Sequence, residues 1–269
     1  MEGLYLYCIR EKIEGASPIS TKGIDEKGGV FTLPYRGLEA VVSKVSLEEF
    51  TSEEIQKKAR ENLNWIKEKG LTHEKITEEA MRENDKILSL IPMRFGTIFK
   101  EKTSLEEVLN KDYSKIKEVL ERIRGKQEWS AKAYLMDRKK FEDAIKEKNE
   151  TIKEKEKEIS SLSEGMAFFM EEELKDTISK EVGRELNSIV DDLFERLGKY
   201  AVGLVKCKIL EKELTGRCEP MVLNSAHLIP EEKVKNFKEG VENLNQEIQT
   251  KGFCLEYSGP WPAYNFSSY

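Results

Sequence analysis

Histidines and cysteines are few in this chain, and the many acidic residues fall almost all on surface-patterned helices, where an acid/base pair cannot be told from solvated charge. There are only two histidines, His73 and His227. His73 is expected in the first turn of a helix opening at Thr72, an exposed position. His227 lies in the strand-like run Asn224-Ser225-Ala226-His227-Leu228 and reads as a packed or edge residue. Cys8, Cys207, Cys218 and Cys254 stand apart, with no C-x-x-C pair to supply two thiolates to one zinc ion. They read as buried thiols in a reducing compartment. No Ser or Cys sits in a nucleophile signature with a local base. Gly28-Gly29 is an isolated pair without the flanking pattern of a phosphate loop. The chain therefore predicts no catalytic residue, no cofactor and no metal site. Arg94, between Met93 and Phe95, is the most conspicuous charged residue inside an apolar stretch. A guanidinium buried there must find a carboxylate or carbonyl. An ion pair with the first domain's helices is expected, with contact to an anion or a partner as the alternative.

Side chains suited to holding another molecule are easier to find. The last thirteen residues, Tyr257 to Tyr269, contain five aromatics in a chain that is 9% aromatic. Pro260 and Pro262 stiffen the backbone on either side of Trp261, which lowers the entropy lost when the indole docks. Such a tail is either a clasp that closes the fold or a contact surface carried by Trp261, Tyr264 and Phe266. A second apolar cluster, Met166-Ala167-Phe168-Phe169-Met170, follows the break Ser163-Glu164-Gly165.

The elements that must position these groups follow from composition and periodicity. A length of 269 residues suits two domains. Charged residues make up 36% and the net charge is −6, without the basic stripe that a nucleic-acid groove needs. No apolar run is long enough to span a bilayer, and no export signal is visible at the N-terminus. A cytoplasmic protein is expected.

The first domain, residues 1–125, is read as mixed α+β. Its strands are expected around Leu4–Ile9, Val30–Leu33 and Leu38–Val45. A helix should run from Thr51 to Gly70, and a second from Thr72 that carries Ile76, Ala80, Ile87 and Leu88 inward. An edge strand follows from Leu90 to Phe99, then one helical stretch from about 104 to 124. The second domain, residues 126–269, gives a strand at Trp129–Met136, a long helical region to about Gly198 and two strands, Ala201–Leu210 and Glu219–Ile229. A helix over 231–250 and a last strand, Phe253–Tyr257, complete the order βαββαβ, the split pattern of a ferredoxin-like sandwich. The long helical region, about 138–198, reads as a hairpin inserted into that pattern. Its arms carry narrow apolar stripes that should pack on each other or on a partner.

Taken together, these segments resemble the gas vesicle protein F/L family (GvpF/GvpL) nearly end to end. The resemblance is carried by Tyr5-Leu6-Tyr7, Ala40-Val41-Val42-Ser43-Lys44-Val45 and Pro92-Met93-Arg94-Phe95-Gly96-Thr97-Ile98-Phe99. It continues in Glu128-Trp129 with Lys132, Glu164-Gly165-Met166-Ala167-Phe168-Phe169, Asn224-Ser225-Ala226 and Gly259-Pro260-Trp261-Pro262-Ala263-Tyr264-Asn265-Phe266. Cys8 stands where the family often has Gly, and Ala263 where a third Pro is common. Asn64-Trp65-Ile66 and the Ser-Ser-Tyr ending lean to the L-type.

The resemblance implies two α+β domains, the second a modified ferredoxin-like one. It also implies a non-enzymatic accessory or minor structural protein of gas vesicles. Such a protein would bind the small hydrophobic shell protein (GvpA) and other accessory proteins, prevent aggregation and assist nucleation. The partners implied are proteins, with no nucleic acid, membrane or small-molecule substrate. The candidate binding residues are Trp261, Tyr264, Phe266, Arg94, Phe95, Phe168 and Phe169. A generic cytosolic scaffold and an enzyme with an interdomain site are the competing readings.

Overall fold

The computed structural model describes residues 1–268, apart from the side chain of Ser52. Tyr269, the last aromatic of the tail, lies outside the described residues. The chain divides into two compact units, one formed by Met1–Glu128 with Gly259 onward, the other by Trp129–Ser258. The tail after Ser258, expected in the second domain, thus belongs to the first unit.

The first unit is built on β1 (Glu2–Glu11), a central strand buried on both faces. That explains its continuous apolar run, since a strand covered on both sides has no solvent face to mark with polar residues. It pairs antiparallel with β3 (Leu38–Ser46), which in turn pairs with β2 (Val30–Tyr35). β2 is an outer strand, where Pro34 is tolerated. On one face Tyr5, Tyr7 and Val41 pack with Ile76 and Ala80. On the other, Leu6, Ile9 and Val42 pack with Leu105, Leu109, Ile116 and Leu120.

The helices differ from expectation in where they break. α1 (Ser52–Glu61) is capped by the Thr51 side chain, and α2 (Leu63–Ala80) by Asn62, which accepts from the Trp65 amide at 3.0 Å. α2 therefore starts nine residues before Thr72 and runs through Gly70. The same helix stops at Ala80. Residues expected to continue it form a small hairpin instead, β4 (Arg82–Glu83) and β5 (Lys86–Ile87), with Asn84 and Asp85 both at positive φ. Asn and Asp adopt that conformation readily, as tight hairpin turns require.

The expected strand from Leu90 to Phe99 is two short ones, β6 (Leu90–Pro92) and β7 (Ile98–Phe99), both paired to β1. A turn over 93–97 separates them, with Gly96 at φ 83°. The single helix expected near 104–124 is two, α3 (Lys102–Lys111) and α4 (Tyr113–Ile123), broken at the non-helical Asp112.

The second unit takes up most of β8 (Lys126–Leu135). Then come α5 (Arg138–Lys148), α6 (Glu150–Ile159), α7 (Glu164–Gly198), β9 (Gly203–Lys206) and the short α8 (Lys212–Thr215). β10 (Met221–Pro230), α9 (Val234–Gln249) and β11 (Phe253–Trp261) complete it. The sheet order is β11-β8-β10-β9, which is the split-βαβ arrangement read from the sequence. The apolar stripes of α7 (Val182, Ile189, Leu193, Leu197) and α9 (Phe237, Val241, Leu244, Ile248) cover the sheet residues Trp129, Ala131, Ala133 and Leu223.

The hairpin's first arm breaks at Asn149, whose side chain accepts from the Ile152 amide and restarts the helix as α6. Its two arms pack on each other through Ile152, Ile159 and Leu174, with Ile145, Ala167, Met170 and Ile178 against them. No helix among the described residues is long and apolar enough to cross a membrane.

Candidate partner-binding surfaces

The tail is fastened by polar contacts that the sequence did not announce. Glu128, 4% exposed, accepts from the Asn265 amide at 3.0 Å and from Asn265 Nδ2 at 2.6 Å. Arg122 donates to the carbonyls of Phe266 and Ser268, both at 3.0 Å. Pro262, Ala263 and Ser267 are buried, and Trp261 and Phe266 are half-buried. Burial pushes the Glu128 carboxyl up to about 7, against the pull of the two Asn265 hydrogen bonds. Tyr264 keeps 42% of its surface exposed, while its hydroxyl end meets Thr77 and is held up to about 12, chiefly by desolvation. Four bonds to main-chain and side-chain groups and three buried residues make this segment a clasp.

His73 is buried, not exposed, because α2 runs unbroken through Gly70 and turns His73, Ile76, Thr77 and Ala80 toward the sheet. Its Nε2 lies 3.1 Å from the Met93 carbonyl, which can only accept, so Nε2 carries the proton. Nδ1 is then left to accept from the Tyr5 hydroxyl at 3.0 Å, and that hydroxyl accepts in turn from the Gly96 amide at 2.9 Å. Desolvation lowers the His73 pKa to about 4. This relay clamps both ends of the 93–97 turn.

The clamped turn carries Arg94 and Phe95. Phe95 is half-buried, its ring edge-on to Tyr5 at 6.2 Å and to His73 at 6.0 Å. Arg94 is exposed and forms no ion pair among the described residues, contrary to the expected one. Its carbonyl accepts from the Thr97 amide and hydroxyl, so the tight turn directs the side chain out of the apolar run. The buried guanidinium of this unit is Arg10, 2% exposed, paired with Glu39 at 2.7 Å. Phe95 and Tyr264 both meet the α2 face that carries His73 and Thr77, so the structure brings these two candidates to one locality.

His227, also fully buried, faces Ser225 Oγ at 2.9 Å, and that hydroxyl reaches the Ala131 carbonyl at 3.1 Å. Burial lowers its pKa to about 4, and Phe237 and Phe194 surround it at 5.6 and 6.2 Å. Both histidines are neutral packing residues at physiological pH. A groove of about 490 Å³ lies between α5 and α7, with Phe141 and Ile189 among its lining and the paired Glu181 and Arg184 on one side. No group of three His, Cys, Asp or Glu side chains among the described residues is placed to hold a metal.

The hairpin tip is different in kind. Phe169 is 75% exposed, Phe168 62% and Met166 59%, with the two rings edge-to-face at 5.9 Å. The opposite side of the same two turns, Ala167 and Met170, packs on α6. These first turns of α7 are thus apolar all round, where a solvated helix should alternate. Covering the exposed parts of both rings would contribute on the order of 5 kcal/mol. Glu164 and Glu171 flank the patch without ion-pair partners among the described residues, whereas Glu172 pairs with Lys175 and Glu173 with Lys155.

Comparison with known proteins gives a consistent result. Residues 3–268 match the family described as "Gas vesicle synthesis protein GvpL/GvpF". Gas vesicle protein L1 of Halobacterium salinarum is 24% identical, with 98% of this chain and 90% of that protein aligned. Gas vesicle protein F of Dolichospermum flosaquae is 27% identical over 73% of this chain and 76% of its own length. The crystal structure of GvpF from Anabaena sp. PCC7120 shares the fold, with a TM-score of 0.76 at 22% identity, covering 100% of this chain and 99% of that one.

Proposed function

The chain belongs to the GvpL/GvpF family of gas vesicle synthesis proteins, and from that premise we propose that it is a non-enzymatic assembly factor. In this reading it binds the hydrophobic shell protein GvpA and other accessory proteins, keeps them dispersed and assists nucleation of the vesicle wall. It acts in the cytoplasm and at the growing vesicle. A shell subunit must present an apolar face to gas, and before assembly that face is an aggregation hazard. A protein of net charge −6 that covers it transiently would hold it in solution.

One observation carries this reading: the exposed cluster of Met166, Phe168 and Phe169, at the end of a hairpin that the βαββαβ core does not need. Aromatic and methionine side chains of this kind supply anchors at protein interfaces. The tail, with Trp261, Tyr264 and Phe266, serves instead to close the first unit. Arg94 and Phe95, on their clamped turn, are a second contact in this proposal.

The test is co-purification of shell protein with the Phe168→Ser/Phe169→Ser double variant. Both rings are on the surface, so thermal melting should be unchanged while captured shell protein falls at least tenfold. Undiminished capture by the folded variant would remove the hairpin tip from the mechanism.

A further inference from the structure

A separate surface lies at the open edge of the second unit's sheet, where β9 is hydrogen-bonded to β10 and ends the order β11-β8-β10-β9. Beyond Lys206 the pairing persists irregularly, with the Cys207 amide on the Asn224 carbonyl at 2.8 Å and Asn224 Nδ2 on the Lys208 carbonyl at 2.7 Å. Exposure alternates along this edge. Val202, Leu204, Lys206 and Lys208 are exposed, while Gly203, Val205 and Cys207 are half-buried. Cys207 is bonded to β10, so in an antiparallel ladder the main-chain groups of Leu204 and Lys206 face away from the sheet. Leu204 lies over Gly198 at the end of α7, whose absent Cβ would sit 3.3 Å from Leu204 Cδ2. Further along α7, Leu186, Val190 and Phe194 form a half-buried row with the sheet core behind it.

We infer that this edge accepts an extended strand from a partner, running parallel to β9, with two apolar residues followed at alternate positions by two acidic ones. Open main-chain groups call for another main chain. Val202 and Leu204 call for apolar partners. Lys206 and Lys208 set the sign of the remaining positions. The stretch Lys199–Leu210 holds three lysines and no acidic residue, in a chain of net charge −6. Lys206 is held by Asp191 at 2.6 Å and lies over the Phe194 ring at 4.9 Å, whereas Lys208 has no ion-pair partner among the described residues. The same lysines disfavour a second copy of this chain, because two such edges side by side would bring like charges together. This surface is independent of the hairpin tip.

The test uses a fluorescein-labelled peptide, Val-Thr-Val-Thr-Asp-Thr-Asp, and its counterpart with lysine in place of aspartate. The acidic peptide should bind at least tenfold more tightly, weaken with added salt, and slow amide exchange at Leu204 and Lys206. Leu204→Pro removes an outward amide while sparing the bonds to β10, and should abolish binding with the circular dichroism spectrum preserved. Lys208→Glu, on the surface, should lower the preference for the acidic peptide to less than threefold, and it serves alone if the proline variant does not fold. Equal affinity for both peptides, no binding of either, or unchanged exchange at those amides would overturn the inference. So would concentration-dependent protection of the two amides without peptide, which would show a second copy on the edge.

Discussion

Replacing Glu128 by Gln should make the protein more stable at pH 8 than the unsubstituted chain. The Glu128 carboxyl is 4% exposed, and burial raises its pKa from an ordinary 4.5 to about 7. The folded state therefore holds a proton that the unfolded chain gives up near 4.5. The stabilisation from Glu128 is complete below pH 4.5 and is lost as the pH rises through about 7. Its size is about 3 kcal/mol, from 1.36 kcal/mol for each pH unit separating the two ionisations. Gln cannot ionise and retains an oxygen for the Asn265 amide, but its NH₂ faces Asn265 Nδ2, which costs about 1 kcal/mol. The expected net gain at pH 8 is about 2 kcal/mol, turning into a loss of about 1 kcal/mol at pH 4.5 and below.

His73 and His227 act in the opposite sense. Each has a folded pKa depressed from 6.5 to about 4, so the stability they contribute is present above 6.5 and is lost as the pH falls through 4. The difference between variant and parent isolates Glu128 from them. Urea unfolding of both proteins from pH 4.5 to 8, with amide exchange at Asn265 to report on the tail itself, provides the measurement. Parallel stability curves for the two proteins would refute the account of the buried carboxyl.

Tyr5→Phe should destabilise the first unit by about 1–3 kcal/mol, since it strands the Gly96 amide and removes the donor to His73. Exchange at Gly96 and Thr97 should rise in parallel, and wild-type exchange there would argue against the clamp. Glu39→Ala should cost about 3–5 kcal/mol in urea unfolding, because it leaves the Arg10 guanidinium buried without its carboxylate. A loss below 1 kcal/mol would mean that Arg10 is solvated in the native state.

Elements whose signal is local were legible in the sequence. The α9 stripe of Phe237, Val241, Leu244 and Ile248, the α7 stripe from Val182 to Leu197 and the βαββαβ order all follow from periodicity and turn residues. The continuation of α2 through Gly70 was not legible, because a glycine costs a helix only about 1 kcal/mol and the packing of α2 against β1 outweighs it. The burial of His73 depends on Tyr5, 68 residues away, and the pin on the tail joins Glu128 to Asn265, 137 residues apart. No window of local sequence contains such pairs. Arg94 misled for a related reason: its neighbours are apolar, but one tight turn reverses the direction of its side chain. At the hairpin tip the residues were visible as a cluster, yet only the packing of Ala167 and Met170 on α6 shows which side remains uncovered.

The central claim, that the hairpin tip takes hold of a vesicle constituent, is tested most directly by a photo-crosslinking amino acid at Phe169 in vesicle-forming cells. The account predicts an adduct with the shell protein on illumination, and little or none from the same group placed at Phe266 in the clasped tail. Adducts with shell protein from position 266 but not from 169, or none from either, would contradict it.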